Sequence, residues 1–151
     1  MRTLGAVSSP PRCVLVVDDN PTVRDLIRIN LELDGYTVVT AGDGEEALEL
    51  VERVHPDLIT LDVTMPRLDG LAVATRLKGR PDTNGIPLVM VSARAQAADL
   101  ARGERAGVDA YITKPFDPCE LMTTVGRLLG APAPSSEPAP GSAPDLDNLG
   151  T

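Results

Sequence analysis

Five short apolar runs recur along the chain: "CVLVV" at 13–17, "YTVVTA" at 36–41, "DLITLD" at 57–62, "IPLVMVS" at 86–92 and "DAYIT" at 109–113. Most are rich in β-branched residues and bounded by turn formers, which is how buried strands read. Between them the apolar residues return at helical spacing. Val23, Leu26, Ile27 and Leu31 fall on one face, as do Ala47, Leu50, Val51 and Val54, and later Leu121, Val125, Leu128 and Leu129. The stretch at 95–106 has only Leu100 and alanines for an inner side, so its helix is expected to pack least firmly. Asn20-Pro21 supplies an N-cap and a proline at the first helical position, Gly35 ends that helix, and Asp43 with Glu46 comes close to a capping box. Strands alternating with helices in a (βα)5 pattern predict an α/β fold, a parallel sheet covered on both faces.

Composition narrows the field. A chain of 151 residues with 42% hydrophobic and 24% charged residues has enough material for one core. One Phe and no Trp make that core aliphatic. The net charge of -8 argues against nucleic acid or an anionic membrane as a direct partner. Cys13, Cys119 and the single His55 offer no metal spacing or disulfide framework. No apolar run is long enough for a membrane span and no signal peptide is evident, so a cytoplasmic location is expected. Residues 1–11 read as a flexible leader, 12–130 as the folded domain, and the Ala/Pro-rich stretch 131–151 as a disordered tail or linker.

The chemistry should lie beyond the carboxyl ends of the strands, where ligands bind in open parallel sheets. Those ends carry Asp18 and Asp19 on the first strand, Asp62 on the third, Ser92 on the fourth and Lys114 after the fifth. Taken singly, an acidic pair after an apolar run is a strand end meeting solvent, and Asp62 could merely open a turn. Together, three carboxylates at one rim call for a cation, and an all-oxygen donor set favours a hard ion such as Mg²⁺. Lys114 is one of two lysines among fourteen basic residues, a flexible point charge suited to a phosphoryl oxygen or carboxylate.

"VLVVDDN", "DLITLDVTMPRLDG", "VMVSARA" and "DAYITKPF" resemble, in order, the motif blocks of the receiver domain of two-component response regulators. The steps from Asp18 to Asp62 to Ser92 to Lys114 are 44, 30 and 22 residues, and the resemblance covers about residues 12 to 130. It implies a flavodoxin-like sheet in the order 2-1-3-4-5. It also implies that Asp62 is the phosphoacceptor, that Asp19 ligates Mg²⁺ directly and Asp18 through water, and that the Thr64 backbone carbonyl is a further ligand. Lys114 would pair with the phosphoryl group and Ser92, where Thr is commoner, would hydrogen-bond it. Tyr111 would be the switching aromatic and Pro115 a cis proline. Thr64 and Arg94 occupy positions that tune phosphate lifetime.

The implied function is a stand-alone, chemotaxis-type regulator, not an enzyme, phosphorylated by a histidine kinase or histidine phosphotransfer protein. The implied output face, formed by the fourth helix, fifth strand and fifth helix, would present Arg102, Arg105, Asp109 and Arg127 to an unknown protein target. The chain would be a monomer or weak dimer. A non-phosphorylated module of the same fold is the alternative, favoured only by loss of an acid, the hydroxyl or the lysine, none of which is lost. A haloacid-dehalogenase-type phosphohydrolase would need Asp-x-Asp, and Asn20 stands where the second Asp belongs. Plainer roles fit the remainder. Cys13 and Cys119 read as small buried or half-buried residues, Met65, Met90 and Met122 as packing, and Glu45, Glu49 and Glu52 as a solvated face. His55 sits in a loop, and for Tyr111 a packed core aromatic is the lesser alternative to the switch.

Overall fold

The computed structural model describes residues 11–65, 68–93 and 97–130, with backbone alone at 97–100 and 103. Residues 1–10 of the expected leader, Arg94, the tail at 131–151 and the Leu100 side chain lie outside the described residues. The elements alternate as β1 (Cys13–Val17), α1 (Pro21–Leu33), β2 (Thr37–Ala41), α2 (Gly44–Val54), β3 (Leu58–Asp62), α3 (Gly70–Lys78), β4 (Leu88–Ser92), α4 (Ala97–Ala106), β5 (Ala110–Thr113) and α5 (Pro118–Leu129). All strand pairings are parallel and the order is β2-β1-β3-β4-β5, the flavodoxin-like arrangement.

Burial follows position in the sheet. β3 and β4 are buried throughout and β1 nearly so, whereas the edge strands β2 and β5 are half-covered. Alternate residues of each central strand feed two separate cores. Leu15, Ile59, Leu61 and Met90 pack under α2 and α3, while Val14, Val16, Leu58 and Val89 pack with Ile27, Leu31, Leu121 and Val125 of α1 and α5. A one-residue slip of any central strand would exchange its two faces, so the packing fixes the register.

Local chemistry closes α1 and α2 as anticipated, and caps of the same kind, not singled out along the sequence, open α3 and α5. Asn20 Oδ1 accepts from the Thr22 and Val23 amides, Asp43 from Glu46, Asp69 from Ala72 and Asp117 from Cys119. His55 ends α2 in the left-handed region, at φ 52°, in the helix-to-strand connection where the sequence placed it. None of the described side chains of α4 is fully buried, in keeping with its poor inner face.

Two expectations need correction. Leu26 does not share the buried face of α1. It is 44% exposed, because the apolar stripe is narrow and only Ile27 and Leu31 point squarely at the sheet. Cys119 is exposed, because it lies off the face by which α5 buries Leu121, Thr124, Val125 and Leu129, while Cys13 is half-buried and its thiol pKa is raised by burial and by Asp57. Asp109 is exposed, as expected, and its carboxylate also accepts from the Leu88 amide at 2.8 Å and pairs with Lys78 at 3.6 Å, tying the entry of β4 to α3.

Candidate functional site

The chain leaves β1 toward β2 on one side and β3 toward β4 on the other, so a crevice opens between the carboxyl ends of β1 and β3. The strand register delivers three acids there. Asp18 follows directly on β1, Asp62 ends β3 opposite Val91, and Asp19 comes next along the rim. Their carboxylate oxygens lie within 4.8 Å of one another; Asp18 and Asp62 are buried and Asp19 is exposed.

Asp18 is held from every side. Its amide donates to the Ala41 carbonyl at 3.1 Å, its Oδ1 accepts from the Asn20 amide at 2.9 Å, and its Oδ2 accepts from Lys114 Nζ at 2.9 Å. Lys114 also faces Asp62 Oδ2 at 3.6 Å. The other oxygen of Asp62 accepts from the Thr64 amide at 3.2 Å. Burial, followed by the Asp18 charge, pushes the Asp62 carboxyl from 3.8 up to about 6, with Lys114 and the Thr64 amide pulling the other way. One ammonium against three clustered acids leaves the site short of positive charge. Hard oxygen donors with an unmet charge fit a divalent cation of the Mg²⁺ type.

The remaining predicted residues take their places around this cluster. Ser92 is fully buried at the end of β4, and its carbonyl accepts from the Lys114 amide at 2.8 Å. The Lys114–Pro115 bond is cis. Tyr111 pairs with Met90 across β4 and β5 and is half-buried against the core under α2 and α3, one strand removed from the acids. Arg102 and Arg105, expected on the output face, line a groove of about 260 Å³ with Leu71, Thr75 and Ala106, on the α3 side of α4. Arg127 is exposed on α5.

Two residues that shape the site are absent from the sequence reading. Gly70 opens α3 with its Cα against the backbone of Asp62: a Cβ there would overlap the Asp62 carbonyl and stand 3.0 Å from Val63 Cα. The Asp69-Gly70 pair reads simply as a turn, and its nearness to Asp62 is invisible along the chain. Arg24 reaches back from α1 to donate from Nη1 to the Asp18 carbonyl at 2.9 Å. Its only linear signal is a cation six residues after Asp18.

With this geometry in view, residues 14–126 match the model of the response regulator receiver domain. The DNA-binding dual master transcriptional regulator RpaA of Synechocystis is 42% identical over 116 residues, which are 77% of this chain and 48% of that protein. The alkaline phosphatase synthesis transcriptional regulatory protein PhoP of Bacillus subtilis is 44% identical over 127 residues, 82% of this chain and 52% of that one. The chain thus spans about half the length of the curated relatives it matches. Among solved structures, the chemotaxis protein CheY4 of Vibrio cholerae superposes with a TM-score of 0.75 at 30% identity, covering 78% of this chain and 98% of that one. The receiver domain of the sensor histidine kinase PA1611 from Pseudomonas aeruginosa, with a magnesium ion coordinated in its active-site cleft, gives 0.74 at 30% identity, covering 80% and 99%.

Proposed function

Because the chain belongs to the response regulator receiver family, a family of signalling proteins rather than classical enzymes, we propose that Asp62 is its phosphoacceptor. The donor is a histidine kinase or a histidine phosphotransfer protein. The observation that carries this reading is the buried Asp62 carboxylate, 3.6 Å from Lys114 and clustered with Asp18 and Asp19. A carboxylate nucleophile attacks the phosphorus of the phosphohistidine, the P–N bond breaks, and an aspartyl phosphate forms. Such transfer depends on positioning and charge neutralisation more than on covalent help.

Asp18, Asp19, Asp62 and the Thr64 carbonyl would hold Mg²⁺, which when bound neutralises charge on the acids and the phosphoryl oxygens. Lys114 pairs with the phosphoryl group through its Nζ, exchanging part of its hold on Asp18 for it. Ser92 turns its hydroxyl to the new acceptor oxygens. Ser92 and Lys114 are linked by a backbone hydrogen bond, so a shift at one is felt by the other. Tyr111, on the α4 side of β5, responds by repacking. The signal leaves through α4, β5 and α5, where α4 is least anchored.

The readout is contact with a protein target. The relatives described above are transcriptional regulators by name, and that output is theirs. Here the acidic charge of -8 supports a receiver that does not itself touch nucleic acid. No helix among the described residues is long and apolar enough to cross a membrane. We place the protein in the cytoplasm as a monomer or weak dimer.

The test is intact mass after incubation with acetyl phosphate and MgCl₂. A gain of about 80 Da, one HPO₃ unit, that disappears in Asp62→Asn and in EDTA is the expected result. An unchanged mass, together with no response to beryllofluoride, would leave the alternative: a receiver fold used as a non-phosphorylated docking module.

A further inference from the structure

We propose that Arg24 is a positioning residue for cation binding: its guanidinium fixes the peptide between Asp18 and Asp19, and so holds the exposed Asp19 carboxylate at the rim. The inference rests on the reading above, that the three acids bind Mg²⁺, and adds a residue outside the acid cluster.

Asp19 is the acid with the least support. Asp18 is buried and bonded through its amide and both carboxylate oxygens, and Asp62 is buried at a strand end, but Asp19 is exposed in the middle of the short connection that must turn into α1. What orients it is the peptide unit that precedes it. The carbonyl of that unit accepts from Arg24 Nη1 at 2.9 Å. Rotation of the peptide would break this bond, so the bond selects the direction in which the Asp19 chain leaves the backbone.

Arg24 is itself confined. A Cβ placed on Gly42 would stand only 3.2 Å from its Nη1, so the guanidinium rests against bare backbone in the β2–α2 connection. That backbone is held in turn, because the Gly42 amide donates to Glu46 Oε1 at 2.8 Å. One side chain therefore ties α1, the turn carrying Asp19, and the neighbouring loop into a single frame. Outer partners of this kind, which never touch the ion, commonly govern affinity through the orientation of the groups that do.

Charge and positioning predict opposite signs, which makes the proposal testable. Arg24 is a cation near three acids. If its charge alone mattered, removing it would leave a more negative site and tighter Mg²⁺ binding. If it positions Asp19, removing it weakens binding despite the gain in negative charge. Gly42→Ala supplies a milder perturbation from the other side, crowding the guanidinium at Nη1 with no change of charge.

The experiment is a calorimetric titration of the full chain with MgCl₂, with Arg24→Met, Arg24→Lys and Gly42→Ala beside the parent. Arg24→Met should bind on the order of tenfold more weakly, Gly42→Ala should weaken in the same direction, and Arg24→Lys should recover part of the loss. The acetyl phosphate adduct should form slowly at low Mg²⁺ and at the parent rate at saturation. Unchanged or tighter Mg²⁺ binding by Arg24→Met, even with a lowered melting temperature, would show a merely structural or electrostatic role and overturn the proposal. Absence of Mg²⁺ binding by the parent would instead overturn the metal reading on which it rests, so the two failures are distinct.

Discussion

Lys114 sits closer to Asp18 than to Asp62: its Nζ is 2.9 Å from one carboxylate and 3.6 Å from the other. The ammonium thus belongs first to the most buried acid, and only its remaining field falls on the group we assign as nucleophile. An arriving phosphoryl group competes with Asp18 for it. This arrangement can bias a conformational equilibrium without any large motion, because one flexible cation is shared between two fixed anions.

Replacing Lys114 with Met should therefore unbalance the cluster before it affects any transfer. Two buried carboxylates lose their cation, and the Mg²⁺-free protein should be about 2 kcal/mol less stable, below the full cost of breaking a buried pair because Lys114 is partly solvated. The Asp62 carboxyl should titrate still higher than about 6, since Lys114 now lowers it. Urea denaturation with and without Mg²⁺ checks this. A variant as stable as the parent in EDTA would show that Lys114 compensates nothing.

The Asp62 carboxyl also sets a pH dependence. Its folded-state pKa, about 6, lies above the ordinary 3.8, so between those values the folded protein keeps a proton that the unfolded chain has released. This contribution to stability is greatest below about pH 4 and declines as pH rises through 6. In EDTA, Asp62→Asn should remove the decline and melt a few degrees, about 3–5 °C, above the parent at pH 7.5, the two converging toward pH 4. Mg²⁺ at ten times its Kd should return about 1.4 kcal/mol to the parent at neutral pH. Parallel melting curves for parent and Asp62→Asn across this range would mean that Asp62 carries no such strain.

Gly70→Ala should be the most damaging small substitution near the site. The added methyl overlaps the Asp62 carbonyl and crowds Val63, both backbone groups in a buried strand end that cannot step aside. A loss of about 3 kcal/mol is expected from overpacking of this kind. Where the variant still folds, its Mg²⁺ affinity should fall as well. Chemical denaturation measures the first effect and calorimetry the second. A loss under about 1 kcal/mol would mean that α3 can withdraw from the strand.

Thr60 offers a gain. Its hydroxyl is buried in β3 between Val16 and Val89 and is the one orphan polar atom among the described buried side chains. Thr60→Val keeps the branched shape and removes the unpaired group, and should stabilise by about 1 kcal/mol. Thermal melting decides it: a loss instead of a gain would reveal a buried water satisfying the hydroxyl.

Much of this protein was legible along the chain because the deciding interactions are short-ranged. The strands announce themselves by β-branched runs, and the helices by caps such as Asn20-Pro21 and Asp43, whose hydrogen bonds span two or three residues. The candidate site residues stood out because each acid, the hydroxyl and the lysine follows an apolar run, and in a parallel sheet all such ends share a rim. The strand order came from likeness to a family and not from periodicity, which cannot say which strands are neighbours.

What the linear pattern left open was settled by contacts between distant segments. Leu26 has the apolarity of a core residue, but the azimuth of α1 on the sheet turns it to solvent. Asp109 is a surface acid whose second role appears only when β5 is laid beside β4 and its carboxylate meets the Leu88 amide. Gly70 and Arg24 gain their meaning only when α3 closes on Asp62 and the β2–α2 connection comes up against α1. The sequence by itself determined the elements and the chemical groups at their ends, through backbone preference and burial acting over a few residues. The tertiary structure decided which of those groups share an electrostatic field, because distance through space, and not along the chain, sets charge coupling and steric fit.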